Sequence, residues 1–266
     1  MDFQNDWRMG VVYENEIIID AHGHMGPWLD FNVPEQGSPD AMVRTMDQCG
    51  ISTTVISPHL CIGPDYRLGN RHAYEAAARF PGRLVPFVTV NPTYGAAEIQ
   101  QEIEYWAANG GIQAFKLHPS LHQYKASGKD YFPVYEYAQA HGLPILSHSW
   151  AGDPLGGAST LGGLAAQFPA AGFIIGHAAS SWQVLDEAEK EAHEHPNVYL
   201  DLTGSRLIRG LIEDMVKRVG ADRVLFGTDN PFIDPRPGLG RVLAARLSDD
   251  DKRKILGLNA KRLFRL

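Results

Sequence analysis

Eight short runs rich in Val, Ile, Leu and Phe recur along this chain, and a segment with helical periodicity follows each of them. Strands are expected at Ile17–His24, Thr53–Pro58, Leu84–Asn91, Ile112–His118, Pro144–Ser149, Phe173–Ala178, Val198–Thr203 and Val224–Asp229. Helices are expected at Pro39–Cys49, Arg71–Phe80, Ala96–Asn109, Val134–His141, Leu161–Phe168, Trp182–His195, Leu207–Val219 and Gly240–Arg246. Strands that are apolar at nearly every position can leave neither face in water, so helices must cover a parallel sheet. Eight such units in 266 residues match the count and length of a single-domain α/β fold, the (β/α)8 TIM barrel. No linker or low-complexity segment divides the chain, and residues 1–266 are read as one domain.

The punctuation agrees. Gly50, Gly110, Gly142 and Gly220 each follow a helical segment, where a left-handed residue is wanted. Ser181 is placed to cap the helix that opens at Trp182. The last stretch, from Asn259 to Phe264, reads as a short closing helix.

Composition excludes several function classes. The formal net charge is −7 with no basic block, which argues against a nucleic-acid or anionic-membrane partner. No run of about 18 apolar residues exists to span a bilayer. The acidic, polar start Met1-Asp2-Phe3-Gln4-Asn5-Asp6 is unlike a secretory signal. Two cysteines, Cys49 and Cys61, make no disulfide framework, and a reducing cytoplasm is the expected compartment. A small molecule is the expected partner. Assembly into a homo-oligomer stays open.

In a barrel, chemistry gathers at the C-terminal ends of the strands. The first run ends in Asp20-x-His22-x-His24, and strand alternation puts all three on one side. Two imidazoles and a carboxylate there make half of a metal site. The fourth run places Lys116 and His118 on one face, the fifth ends in His148, the sixth in His177 and the eighth in Asp229. Singly, each has a plain reading: a hydrogen-bonded loop histidine, a snorkelling lysine, an aspartate capping a turn. Their repetition at strand ends that the fold brings together points to one site.

His193 and His195 share the HxH spacing but close a polar helix, where i and i+2 diverge, so they are expected to face solvent. Asp20 has two open readings, orienting the histidines or a structural hydrogen bond. His59 and Arg206 are candidates to recognise a substrate carboxylate, with a surface loop as the favoured alternative. The segment from Ala151 to Ser159 lacks both phosphate-loop patterns and is expected as a mobile loop over the mouth. No Gly-x-Ser-x-Gly elbow supports a serine mechanism.

These residues together resemble the amidohydrolase superfamily of metal-dependent (β/α)8 barrels, in its amidohydrolase-related (amidohydrolase 2) branch. The resemblance rests on Asp20-x-His22-x-His24, Lys116 in Phe-Lys-Leu-His-Pro, His148, His177, Gly227-Thr228-Asp229-Asn230-Pro231 and Asn259-Ala260-x-Arg262-Leu263-Phe264. It implies that His22, His24, His148 and Asp229 bind one divalent metal per chain, zinc first and manganese as the alternative. It makes His177 a further ligand or the acid/base, with Lys116, His118 and Arg206 as additional candidates. A strand-four lysine is carboxylated between two metals in binuclear relatives; a single metal is expected here.

Two reactions compete. The first is hydrolysis of a carboxylic ester, lactone or amide by metal-activated water, with Asp229 relaying the proton and His177 stabilising charge. The second is non-oxidative decarboxylation of an unsaturated or aromatic acid, as in aminocarboxymuconate-semialdehyde decarboxylase-type members. There His177 would donate the proton, with Arg206 the one obvious strand-end arginine. The thin supply of arginines and the compact length favour the hydrolase.

Overall fold

A computed structural model describes residues 16–29, 32–206 and 208–266. The amino-terminal stretch read against a secretory signal, and Leu207 at the start of one expected helix, lie outside the described residues. The strands are β1 (Ile19–Met25), β2 (Thr53–Pro58), β3 (Leu84–Pro86, resuming as Val88–Thr89), β4 (Phe115–Leu117), β5 (Pro144–Ser147), β6 (Gly172–Ile175), β7 (Val198–Asp201) and β8 (Val224–Leu225). The helices that follow them are α1 (Pro39–Cys49), α2 (Tyr66–Arg79), α3 (Ala96–Asn109), α4 (Phe132–His141), α5 (Ala158–Gln167), α6 (Trp182–Glu194), α7 (Leu211–Val219) and α8 (Pro235–Ala244).

Each strand pairs in parallel with the next, Ile19 opposite Thr53 at one end of the series and Leu200 opposite Val224 at the other. At β3 the ladder passes through Phe87, whose N–H donates to the Ile56 carbonyl at 2.9 Å, while that of Val88 donates to Ala114 at 2.9 Å. The ring closes where Ala21 N–H donates to Phe226 and Asp229 N–H to His22, both at 2.9 Å. The molecule is a (β/α)8 barrel.

Strand alternation explains why the runs are apolar throughout. Leu146, Ile174 and Leu225 fill the barrel interior with Ile19, Val55 and Phe87. Their neighbours Ile145, Phe173 and Val224 face outward under the helices. The closing helix Asn259–Phe264 places Phe264 in the inner cluster, its ring 6.0 Å from that of Phe87.

β1 runs one residue past its expected end and β2 ends where expected, whereas β3 to β8 stop short of theirs. β4 ends at Leu117 rather than His118, β5 at Ser147 rather than Ser149, β6 at Ile175 rather than Ala178, and β8 at Leu225 rather than Asp229. His177 and Asp229 adopt φ of 61° and 60°, a left-handed conformation that cannot continue a strand. Several helices begin earlier than periodicity suggests, because a cap upstream of the apolar pattern starts them. Asp65 Oδ1 accepts from Leu68 N–H at 2.9 Å to open α2, and Asp234 accepts from Arg236 N–H at 2.9 Å to open α8. Ser181 caps α6 as expected, accepting from Val184 N–H at 3.2 Å. Gly50 and Gly142 are left-handed; Gly110 is extended at φ −174°, with Gly111 turning the chain, and Gly220 has positive φ but extended ψ.

Candidate functional site

The ends of β1, β5, β6 and β8 converge at the C-terminal mouth of the barrel. The Nε2 atoms of His22 and His24 each lie 3.4 Å from Asp229 Oδ1, and His177 Nδ1 lies 3.8 Å from Asp229 Oδ2. Donor atoms of His22, His177 and Asp229 all fall within 4.8 Å of one another. His148 joins through a hydrogen bond between its Nδ1 and His177 Nε2 at 2.9 Å. His118 stacks on His148 with centroids 4.0 Å apart, and Lys116 Nζ donates to His22 Nε2 at 2.5 Å.

The backbone sets these positions. β1 carries a register irregularity between Asp20 and Gly23, so strict alternation does not hold at its end. Asp20 sits beneath the histidines, accepting from His22 N–H at 3.1 Å, Thr228 N–H at 3.1 Å and the Thr228 hydroxyl at 2.6 Å. It ties β1 to the turn that carries Asp229. Gly176, just before His177, has no room for a side chain: a Cβ there would lie 2.7 Å from the Ser147 carbonyl oxygen.

Asp201, at the end of β7, escaped the sequence reading. One of its oxygens accepts from His22 Nδ1 at 2.6 Å; the other accepts from the N–H groups of His177 (3.0 Å) and Thr203 (2.8 Å). Its signal was the same as the others, a polar residue closing an apolar run. Extending that run to Thr203 hid it.

The arrangement fits a divalent metal. Two donors about 2.0–2.2 Å from one tetrahedral ion lie about 3.4 Å apart, the separation of Asp229 Oδ1 from both histidines. Asp229 Oδ1 and His177 Nδ1 are buried without a hydrogen-bond partner among the described residues, which is costly unless another group satisfies them. The tautomers also fit. Ser57 O can only accept, so His24 Nδ1 donates to it at 3.1 Å and leaves Nε2 as a lone-pair donor. The Asp201 carboxylate does the same for His22.

Burial keeps the imidazoles neutral, as ligands must be. His22, His118 and His148 are held well below the ordinary histidine value, first by burial and then by neighbouring cationic groups. His24 is pushed down to about 3 and His177 is lowered, in both cases mainly by burial. Burial lowers Lys116 to about 8 against the pull of Asp229 and Asp201. Asp229 and Asp20 are raised by burial, Asp20 to about 7.

A cavity of about 760 Å³ opens onto His177 and Asp229. Arg206 lines it with an exposed side chain that forms no ion pair among the described residues. Trp150 lies parallel to the His177 ring at 4.9 Å and also lines the cavity.

Other expectations are corrected. His59 is not on a surface loop: it is buried, stacks on Phe232 at 3.9 Å and on His24 at 5.1 Å, and hydrogen-bonds the Gly26 carbonyl. The loop after β5 is pinned, with Asp153 accepting from Ser120 at 2.8 Å and Leu155 O from Ala126 N–H at 2.7 Å; of that segment only Ala151 lines the cavity. His193 faces solvent beside Glu189, whereas His195 is half-buried against Glu191.

The chain is 26% identical to gamma-resorcylate decarboxylase of Polaromonas sp. strain JS666, over 94% of this chain and 95% of that one. The alignment runs over 314 positions, although 94% of 266 is about 250 residues, so some 60 positions have no counterpart here. The fold matches dihydroxybenzoic acid decarboxylase of Polaromonas sp. JS666 with bound manganese and 2-nitroresorcinol, at a TM-score of 0.72, 20% identity and 94% and 97% coverage of the two chains. It also matches 5-carboxyvanillate decarboxylase of Novosphingobium aromaticivorans with bound manganese, at 0.74, 15% identity and 95% and 97% coverage.

The expectation of hydrolysis is overturned by the gamma-resorcylate decarboxylase relative, which spans the chain end to end. The model of the amidohydrolase family (Amidohydro_2) matches residues 19–266, and the chain belongs to that family.

Proposed function

We propose that this chain is an enzyme that decarboxylates an aromatic or unsaturated carboxylic acid without oxidation. The site would use one divalent metal held by His22, His24, His148 and Asp229, with His177 as acid/base. The observation that carries the reading is the end-to-end match to gamma-resorcylate decarboxylase, made by a chain with a buried acid/base pair at the barrel mouth.

Decarboxylation replaces a carboxylate on carbon by hydrogen, so the site must hold an anion and deliver one proton. Arg206 lines the cavity and supplies a guanidinium for an anionic substrate group. Asp229 places its second carboxylate oxygen 3.8 Å from His177 Nδ1. The pair can carry the proton to the ring carbon, while the electrons of the breaking carbon–carbon bond stay with that carbon and CO2 leaves. His148 holds His177 Nε2 and Asp201 its backbone N–H, which fixes the imidazole for transfer. A divalent ion would supply Lewis-acid polarisation of substrate oxygens. Manganese suits the carboxylate donor and is the ion in two of the similar decarboxylases, while the imidazole donors suit zinc.

The test is a metal-reconstituted assay across hydroxybenzoates, unsaturated acids, esters and lactones, following CO2 and product together. Stoichiometric CO2 from at least one acid is expected. Ester or lactone cleavage with no CO2 from any acid would reject the reading.

A further inference from the structure

We infer that the substrate pocket accepts an acid with an extended aromatic tail, larger than a single ring, laid along the wall between Trp150 and Trp182. This rests on the decarboxylase reading for the reacting end and adds the substrate class.

The cavity of about 760 Å³ lies in the range of roughly 300–1,000 Å³ that encloses drug-sized ligands. His177 and Asp229 occupy only part of its wall. Much of the remainder is apolar: Trp150, Trp182, Val184, Ile208 and Ile233. Trp150 and Trp182 are 48% and 41% exposed, the two exposed tryptophans among the described residues, and both line this one cavity. Large aromatic faces left open to water beside a reacting centre are what a planar ligand covers by stacking.

The backbone fixes both faces. Trp150 follows β5 by three residues and rests one face on His177 at an interplanar angle of 17°, which leaves its outer face to the pocket. Trp182 opens α6 directly after its Ser181 cap.

The experiment compares a monocyclic 2-hydroxybenzoate with its 4-phenyl derivative on the manganese-reconstituted protein. Affinity is read by isothermal titration calorimetry and turnover by CO2 release. The biaryl acid is expected to bind about tenfold more tightly, with Trp150→Ala and Trp182→Ala each removing most of that ratio. Equal affinity for the two acids, or a ratio unchanged in both variants, would overturn the inference. CO2 release with equal affinities would sink the extended pocket and keep the reaction. A preserved ratio, with no CO2 from these two acids or from any acid of the wider panel, would sink the reaction and keep the pocket.

Discussion

Asp201 accepts the Nδ1 proton of His22 at 2.6 Å, and this bond determines which nitrogen His22 turns toward Asp229. A carboxylate partner fixes the tautomer, raises the basicity of Nε2 and holds the ring against rotation. The same carboxylate holds the N–H of His177, so one residue that need not touch the substrate positions two that line the site.

Asp201→Asn should therefore weaken metal binding about 10–100-fold while the barrel stays folded. Competition with a chromogenic chelator measures it. Wild-type affinity in the variant would mean that His22 is oriented by the backbone alone.

His148 and His177 share a hydrogen bond, and their substitutions should separate their roles. His148→Ala should leave the purified protein with little metal. His177→Ala should keep about one equivalent and lose about 10²–10⁴-fold in turnover, the usual contribution of a general acid or base. Metal analysis beside a CO2 assay decides. The opposite pattern would exchange the two assignments.

Gly176→Ala should destabilise the barrel more than an ordinary surface change. The new Cβ would meet a backbone oxygen, Ser147 O, at 2.7 Å, and no side-chain rotation relieves that. A cost of about 1–3 kcal/mol is expected, lowering Tm by several degrees in a thermal melt. An unchanged Tm would show that β5 and β6 can separate at little cost.

Acid should destabilise the protein through its buried neutral histidines. Burial holds His122 near about 4, below the value of about 6.5 expected in the unfolded chain. Between those values the unfolded state binds the extra proton, so the stability is full above about 6.5 and is lost as pH falls toward about 4. His122→Gln should make the pH slope of unfolding free energy shallower by about 1.4 kcal/mol per pH unit in that window. Denaturant melts at several pH values read this out, and parallel slopes would exclude His122 as a contributor.

The sequence determined the order of elements, the number of barrel units and most of the residues at the mouth. Those signals are local: β-branched runs, helical periodicity, caps such as Ser181, and polar residues at strand ends. It also separated the His22/His24 pair from the His193/His195 pair, because the same spacing has different consequences on a strand and on a helix. Strand ends were less legible. Turning the chain at His177 and Asp229 depends on a left-handed backbone held by Asp201 of β7, 24 residues from His177, and by His22 of β1, 207 residues from Asp229, both adjacent in space. Only the tertiary structure showed that Asp201 holds His22, that Asp20 ties β1 to the turn after β8, and that His59 is buried against His24. Such pairings arise from barrel closure, which brings the first and last strands to hydrogen-bond distance, and no periodicity along the chain encodes which side chains then meet.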